Sequence, residues 1–183
     1  MRIVLLVTLS AAGLAACASA PPMPKAMANT STASMAVANL APASGSLVSG
    51  KLMLMPMGDG VHVSGDIGGL MSGSSHGFHI HEKGDCSAAD ASSAGGHFNP
   101  TTSMHGKAEA GAHHAGDIDN IVADGGGVAH VNAHVMGVSL GGGAANDIAG
   151  RAFVVHAAPD DYAAQPSGNS GARIACGVIS VTR

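Results

Sequence analysis

The sequence is poor in aromatic and in basic residues. It has no Trp, one Tyr and three Phe among 183 residues, and 8 Lys plus Arg against 12 Asp plus Glu give a net charge of −4. Nucleic-acid binding depends on basic patches that neutralise phosphates and on aromatic rings that stack on bases. The composition therefore excludes nucleic acid as an expected partner.

Long apolar runs are also lacking. The longest candidate, residues 3–16, is shorter than the roughly 20 apolar residues of a membrane-spanning helix. Ala and Gly supply a third of the chain, so the hydrophobic content of 46% overstates the amount of large apolar side chain available for burial. The length predicts one domain with tails and not two large domains.

The first residues have the pattern of an export signal. Arg2 gives a positive start, residues 3–14 are apolar, and a small-residue stretch ends in Cys17. This resembles a bacterial lipoprotein signal over residues 1–16, which implies a lipid on Cys17 and a protein anchored to a membrane on the periplasmic side of the bacterial cell envelope. The alternative is an ordinary cleaved signal in which Cys17 is incidental. Export would place Cys86 and Cys176 in an oxidising compartment, where disulfides persist.

Residues 17–45 are predicted to be a flexible Ala/Pro/Ser/Thr tether that follows the lipid-bearing cysteine. They show neither strand nor helix periodicity. Met23, Met27 and Met35 could form a weak copper-catching tract, because thioethers suit cuprous copper. A low-complexity linker is the favoured interpretation of these methionines.

From residue 46 onward the pattern is that of short strands. Residues 46–57 and 61–67 flank Gly58-Asp59-Gly60, which predicts a hairpin, and further extended runs occur at 77–81, 127–135, 148–156 and 176–181. No segment keeps the 3.6-residue spacing of a helix for three turns. Residues 46–183 are therefore predicted to be one all-β domain, a sandwich or barrel. The loop at about 82–116 has few large apolar residues, so something must hold it in place.

Histidine is unusually frequent, at 11 residues. His79 and His81 are two residues apart on a predicted strand, so they share a face at a spacing of roughly 6 to 7 Å and can share one metal. His97, His105, His114 and Asp117 lie in or next to the long loop, and His156 ends a later run. Imidazoles suit zinc and copper, and three imidazoles with one carboxylate make a closed zinc-type site.

Five motifs containing these residues resemble, in order, those of the copper-zinc superoxide dismutases. They are Gly77-Phe78-His79-Ile80-His81-Glu82, Gly96-His97-Phe98-Asn99-Pro100, His114-Ala115-Gly116-Asp117, Val154-Val155-His156 and residues 168–177, GNSGARIACG. The resemblance covers residue 46 to the C-terminus. It implies a Greek-key β-sandwich or flattened barrel with long metal-binding and active-site loops.

The resemblance also implies one copper and one zinc ion per subunit. The implied copper ligands are His79, His81, His97 and His156. The implied zinc ligands are His97, His105, His114 and Asp117. His97 would then bridge the two ions as an imidazolate.

Further positions match supporting residues of the family. Asp160 matches a carboxylate that links a copper ligand to a zinc ligand, and His76 matches a structural position. Cys86 and Cys176 match the intrasubunit disulfide, and Arg173 matches the residue that guides the anion to copper.

The implied activity is disproportionation of superoxide to dioxygen and hydrogen peroxide by alternating Cu(II) and Cu(I), with His97 as proton donor, protecting the envelope from extracytoplasmic superoxide. Asp160 and Asp161 are the only charges between His156 and Arg173, so the charged guidance residues of eukaryotic members are missing, and Lys83 or Lys107 are the candidates to replace them. The main rival function is a dismutase-like copper carrier without turnover. A homodimer is compatible with the resemblance, although the sequence identifies no pairing surface.

Some residues stay outside this interpretation. They are His62, His113, His130 and His134. In the run 128–135, His130 and His134 are predicted on the solvated face, roughly 13 Å apart. Met53, Met55 and Met57 alternate, and packing in the core or at a strand edge is preferred to a copper relay.

Overall fold

Eight strands form most of the regular structure in the described part of the computed structural model, residues 30–108 and 110–183. They are β1 (Ala36–Pro42), β2 (Ser49–Met57), β3 (Gly60–Gly68), β4 (Ser75–His81), β5 (Asp117–Val122), β6 (Ala129–Met136), β7 (Ala152–His156) and β8 (Arg173–Val181). A 3-10 helix, η1 (Ser92–Ala94), lies in the long loop between β4 and β5. Within these ranges, no helix has the length and apolar character needed to cross a membrane.

The strands pair antiparallel in the order β5-β4-β7-β8-β1-β2-β3-β6. Pairing of β4 with β7 and of β3 with β6 skips intermediate strands, which is the signature of Greek-key connections. β5 and β6, at the two ends of this order, contact each other without a hydrogen-bonded ladder, so the sheet curls into a nearly closed barrel. The predicted all-β Greek-key fold is confirmed.

The core lies inside this barrel and follows from strand alternation. On β2, Leu52 and Leu54 are fully buried while Met53 and Met55 face outward. Phe78 of β4 stacks on Phe153 of β7, with ring centroids 5.0 Å apart. The predicted hairpin is also confirmed, since β2 and β3 pair up to Met57 opposite Gly60. Leu, Ile, Val and Phe side chains, with some Ala, thus fill the interior of the barrel.

The predicted tether boundary at residue 45 is wrong. Residues 36–42 form β1, which lies between β2 and β8 and buries Ala36, Ala38 and Leu40. Upstream of β1, the amides of Thr32 and Ala33 donate to the carbonyl of Leu140. An alanine-rich composition is typical of a linker. The small side chains of this stretch nevertheless pack in the interior, where Ala36 and Ala38 are fully buried.

The remaining N-terminal predictions lie outside the described residues. These are the signal at 1–16, the lipid on Cys17, and the part of the tether that precedes residue 30.

The predicted extended runs do not include β5. It continues directly from the long loop, beginning at the last residue of the third motif, Asp117.

Candidate metal centre

Two elements of the barrel and one loop bring four histidines together. His79 and His81 alternate with the core residues Phe78 and Ile80 on β4, so both imidazoles lie on the face away from the core. His156 ends β7, and the loop residue His97 is joined to His81 by an isolated β-bridge. One ring nitrogen of each of these four buried side chains lies within 4.8 Å of the others.

A second cluster shares His97 with the first. His97, His105, His114 and Asp117 are all buried, and their ligand atoms also lie within 4.8 Å of one another. His97 Nδ1 lies 2.8 Å from Asp117 Oδ1, and His105 Nδ1 lies 3.0 Å from Asp117 Oδ2. The long loop thus places three of these side chains beside the first residue of β5.

The two nitrogens of His97 serve different clusters. Its Nδ1 is directed to Asp117 in the second cluster, whereas its Nε2 is buried and has no hydrogen-bond partner among the described residues. His79 Nδ1 is likewise buried without a hydrogen-bond partner, and the contact of His105 Nδ1 with Asp117 Oδ2 lacks hydrogen-bond geometry. A buried imidazole nitrogen without a partner is costly, by about 1 to 3 kcal/mol, unless it binds something. These nitrogens are therefore available to bind an ion.

Asp160 links the two clusters through the outer ring nitrogens of one histidine from each. Its Oδ2 accepts from His79 Nε2 at 2.8 Å, and its Oδ1 accepts from His105 Nε2 at 2.9 Å. A carboxylate that accepts from the outer N–H of an imidazole fixes the tautomer and leaves the inner nitrogen free to bind a metal. Gly168, with φ +70°, approaches so closely that a Cβ there would overlap Asp160 Oδ1, so this position requires glycine.

The remaining outer nitrogens of the first cluster face backbone carbonyls. His81 Nδ1 donates to Gly95 O at 3.0 Å, and His156 Nδ1 lies 3.4 Å from Gly171 O. Their inner atoms, His81 Nε2 and His156 Nε2, are 3.4 Å apart. All four imidazoles thereby direct one nitrogen inward.

Burial keeps three imidazoles of the first cluster neutral. It lowers the pKa of His81 to about 2, that of His156 to about 3, and that of His97 to about 4, the last against an opposing hydrogen bond to Asp117. Burial disfavours ionisation of Asp117, but hydrogen bonds from His114 and His97 outweigh it and lower its pKa. Neutral imidazoles beside an ionised carboxylate are the protonation states in which these groups bind metal.

The donor sets differ in a way that fits two different ions. Four imidazoles suit copper, and three imidazoles with one carboxylate in a closed arrangement suit zinc. The buried nitrogens without hydrogen-bond partners belong to these donor sets, so both clusters fit metal ions.

A cleft of about 560 Å³ opens onto the first cluster. His81, His97 and His156 line it, together with Arg173. Of the described residues that line this cleft, Arg173 alone carries a permanent charge. Lys83 and Lys107 do not line it, and Lys107 instead lies 3.7 Å from Asp119.

Arg173 is held by main-chain carbonyls. Its two terminal nitrogens donate to Ala91 O and Gly95 O, each at 2.7 Å. Since Gly95 O also accepts from His81, one carbonyl fixes both the arginine and a histidine of the first cluster. The guanidinium is therefore held in a fixed position relative to the cluster.

The predicted disulfide between Cys86 and Cys176 is confirmed. It ties the long loop to β8, three residues after Arg173 at the start of that strand. The loop that supplies His97 and the strand that supplies Arg173 are thus covalently joined.

Several histidines lie outside both clusters. His76 is buried and contacts the carbonyl of His156 through Nδ1 at 2.7 Å. His130 is exposed and lies 2.7 Å from Asp66, while His134 contacts Asp59. His113 lies beside the second cluster but directs its Nδ1 to the carbonyl of His114 at 2.7 Å.

The predicted packing of three methionines of β2 is wrong. They are Met53, Met55 and Met57. They are 42%, 44% and 51% exposed, on the outer face of a strand that has a neighbour on each side. They pack neither in the core nor at a strand edge. Alternation places the three side chains on one face of the strand, and only the fold shows that this face is open.

Comparison with known proteins places these features in one family. The family model described as copper/zinc superoxide dismutase (SODC) matches residues 48–179. A protein of Aquifex aeolicus named superoxide dismutase (Cu-Zn) 2 is 42% identical over 135 residues, which cover 72% of this chain and 79% of that protein.

Two comparisons involve Bacillus subtilis. Its superoxide dismutase-like protein YojM is 43% identical over 122 residues, 65% of this chain and 61% of that protein. A crystal structure of an SOD-like protein from the same organism superimposes with a TM-score of 0.70 and 39% identity, covering 77% of this chain and 95% of that one.

Proposed function

The chain belongs to the copper/zinc superoxide dismutase family and is a superoxide dismutase, and we propose that it works with one copper and one zinc ion bound by the two clusters. The copper ligands in this proposal are His79, His81, His97 and His156. The zinc ligands are His97, His105, His114 and Asp117. The observation that carries the proposal is the position of His97, whose two ring nitrogens face different clusters.

The reaction consumes two superoxide ions and two protons and gives one dioxygen and one hydrogen peroxide. When bound, copper supplies the redox chemistry by taking one electron from the first superoxide and giving it to the second, while zinc keeps its charge. The chain must therefore bring anions to the cleft and supply protons. His97 would hold a proton at Nε2, which faces the first cluster, while its Nδ1 would be one of the zinc ligands.

Arg173 attracts and orients the anion in this proposal. Its guanidinium lines the cleft without a competing cation and is fixed by two carbonyls. A charged group in a cleft raises the association rate of an oppositely charged substrate, and salt screens the effect.

We expect Arg173→Ala to lower the second-order rate constant for superoxide by about tenfold or more at low ionic strength. Pulse radiolysis at several salt concentrations would measure it, and the gap from the unsubstituted protein should narrow as salt rises. Lys107→Ala is the matched control, since that cation lies outside the cleft. An unchanged rate in Arg173→Ala at low salt would remove Arg173 from substrate attraction.

The cellular setting is proposed from the N-terminal sequence. A lipid on Cys17 would anchor the protein to a membrane on the periplasmic side of the cell envelope, where it would remove extracytoplasmic superoxide. Mass spectrometry of the membrane-extracted protein tests this, because a chain that begins at Cys17 with added acyl mass is expected. A soluble chain with an unmodified N-terminus would reject the anchor.

Metal analysis and a superoxide assay on one purified preparation test the catalytic proposal. We expect copper and zinc in equal amounts and superoxide removal that is lost when copper is withdrawn and restored when it is returned. Bound copper with no superoxide removal would support a copper carrier instead.

A further inference from the structure

A second group of potential metal ligands lies on the outside of the barrel. Four methionines and two histidines share the outer face of β2, β3 and β6, which we call the methionine face. Its members are Met53, Met55, Met57, His62, His134 and Met136. The methionines are between 38% and 51% exposed, although thioether side chains usually help fill apolar interiors.

Strand register places these side chains next to one another. Met55 is directly opposite His62, which is directly opposite His134 on the next strand. In the adjoining row, Met57 and Met136 lie on either side of Gly60, which has no side chain. Directly opposed Cα atoms in antiparallel strands are about 4.5 to 5.5 Å apart, and same-face neighbours along a strand are about 6 to 7 Å apart. The flexible methionine side chains can therefore reach the same point as the two imidazoles.

His134 has the features already seen in the ligands of the main centre. Its Nε2 is 2.9 Å from Asp59 Oδ1, and its Nδ1 is buried with no hydrogen-bond partner among the described residues. Among the described residues, the other buried side-chain nitrogens without a hydrogen-bond partner belong to His79, His97 and His105. The combination of an orienting carboxylate and an unpartnered inner nitrogen thus recurs on the outside of the barrel.

There is room for an ion next to His134. A cleft of about 210 Å³ runs along β6 where that strand faces β5. His134 and Met136 line it, whereas no residue of β2 or β3 does. The thioether of Met136 and the imidazole of His134 therefore border the same open space.

We propose that the methionine face binds one cuprous ion through His134 Nδ1 and the thioethers of Met55, Met57 and Met136, beside His62. Thioethers are soft ligands that select Cu(I), and imidazole also binds copper. A purely apolar docking surface would not account for the oriented imidazole of His134 in the middle of the methionines. The inference does not depend on catalysis at the main centre.

The test uses the full chain with its copper and zinc sites loaded, under anaerobic conditions with ascorbate. Cu(I) is added against bicinchoninate, a chromogenic cuprous chelator, and X-ray absorption is recorded on the product. We expect one further copper per chain and a copper–sulfur signal. The main centre cannot give that signal, because its candidate ligands are nitrogen and oxygen atoms.

Matched variants locate the ion. Met55→Leu/Met57→Leu/Met136→Leu keeps the apolar volume and should weaken Cu(I) binding by at least about tenfold with loss of the sulfur signal. His134→Asn should weaken binding while leaving the sulfur signal partly intact. Met71→Leu/Met104→Leu is the control, since these methionines are exposed elsewhere, and Met23→Leu/Met27→Leu tests the N-terminal segment.

Three outcomes would overturn the proposal. The first is the absence of copper beyond the main centre at chelator concentrations that permit micromolar binding. The second is a sulfur signal that survives in the triple variant, and the third is loss of binding in either control pair. Superoxide removal is measured on every variant and should be unchanged, which separates failure of this inference from failure of the proposed function.

Discussion

Replacement of His97 by alanine is expected to lower the rate of superoxide disproportionation by at least about 100-fold. A positioned proton donor typically contributes 10² to 10⁴ to a rate, and His97 is also the one side chain whose ligand atoms belong to both clusters. The variant should therefore lose affinity for copper and for zinc together. Steady-state superoxide assays and chelator competition for each metal would measure the two effects.

His130→Ala is the matched control for this prediction. His130 is also a histidine with a carboxylate partner, Asp66, but its side chain is 67% exposed and lies on the outer face of the barrel. It should retain full activity and both metals. If His97→Ala instead lost one metal and kept the other with its original affinity, the shared-ligand interpretation would be wrong.

The sequence predicts which side chains the structure brings together better than it predicts the strands around them. His79 and His81 could be paired from alternation alone, because two residues apart on a strand means one face. The placement of His97 beside them could not be derived that way. It depends on a loop that folds back to form a bridge with β4, and only the family resemblance predicted it.

The missed strands have identifiable physical causes. β1 buries Ala36 and Ala38, which carry little hydrophobic signal. In β5, Ile118 and Ile121 are both buried although they are three residues apart. They pair with Phe78 and His76, which are two residues apart, so a bulge lies between them. A bulge inserts one residue and breaks the period of two on which strand prediction depends.

The exposure of the methionine face also could not be predicted from the sequence. The alternation of Met53, Met55 and Met57 places them on one face of a strand, and their apolar side chains favour packing of that face. The barrel covers only the face that carries Leu52 and Leu54. Which face lies open is a property of the whole fold and not of the local sequence.

Asp160→Asn is expected to weaken binding of copper and of zinc, each by about 10 to 100-fold, the usual effect of losing a carboxylate that orients metal-binding imidazoles. Asp160 accepts from His79 through one oxygen and from His105 through the other. Asparagine has one oxygen acceptor and places an NH₂ donor against the second imidazole N–H. One buried histidine would then lose its partner, at a cost of about 1 to 3 kcal/mol. Chelator competition for each ion measures the result.

Asp161→Asn separates this role from a general effect on the loop. Asp161 is the adjacent carboxylate and is exposed. It accepts from the amides of Ala163 and Ala164 through Oδ1, which asparagine can also do, and the substitution removes only the exposed hydrogen bond from Asn169 Nδ2 to Oδ2. It should leave both metal affinities unchanged. Because Asp160 contacts one imidazole from each cluster, copper and zinc should weaken together in its variant. Loss of zinc alone with unchanged copper affinity would mean that the contact with His79 does not orient the copper ligand.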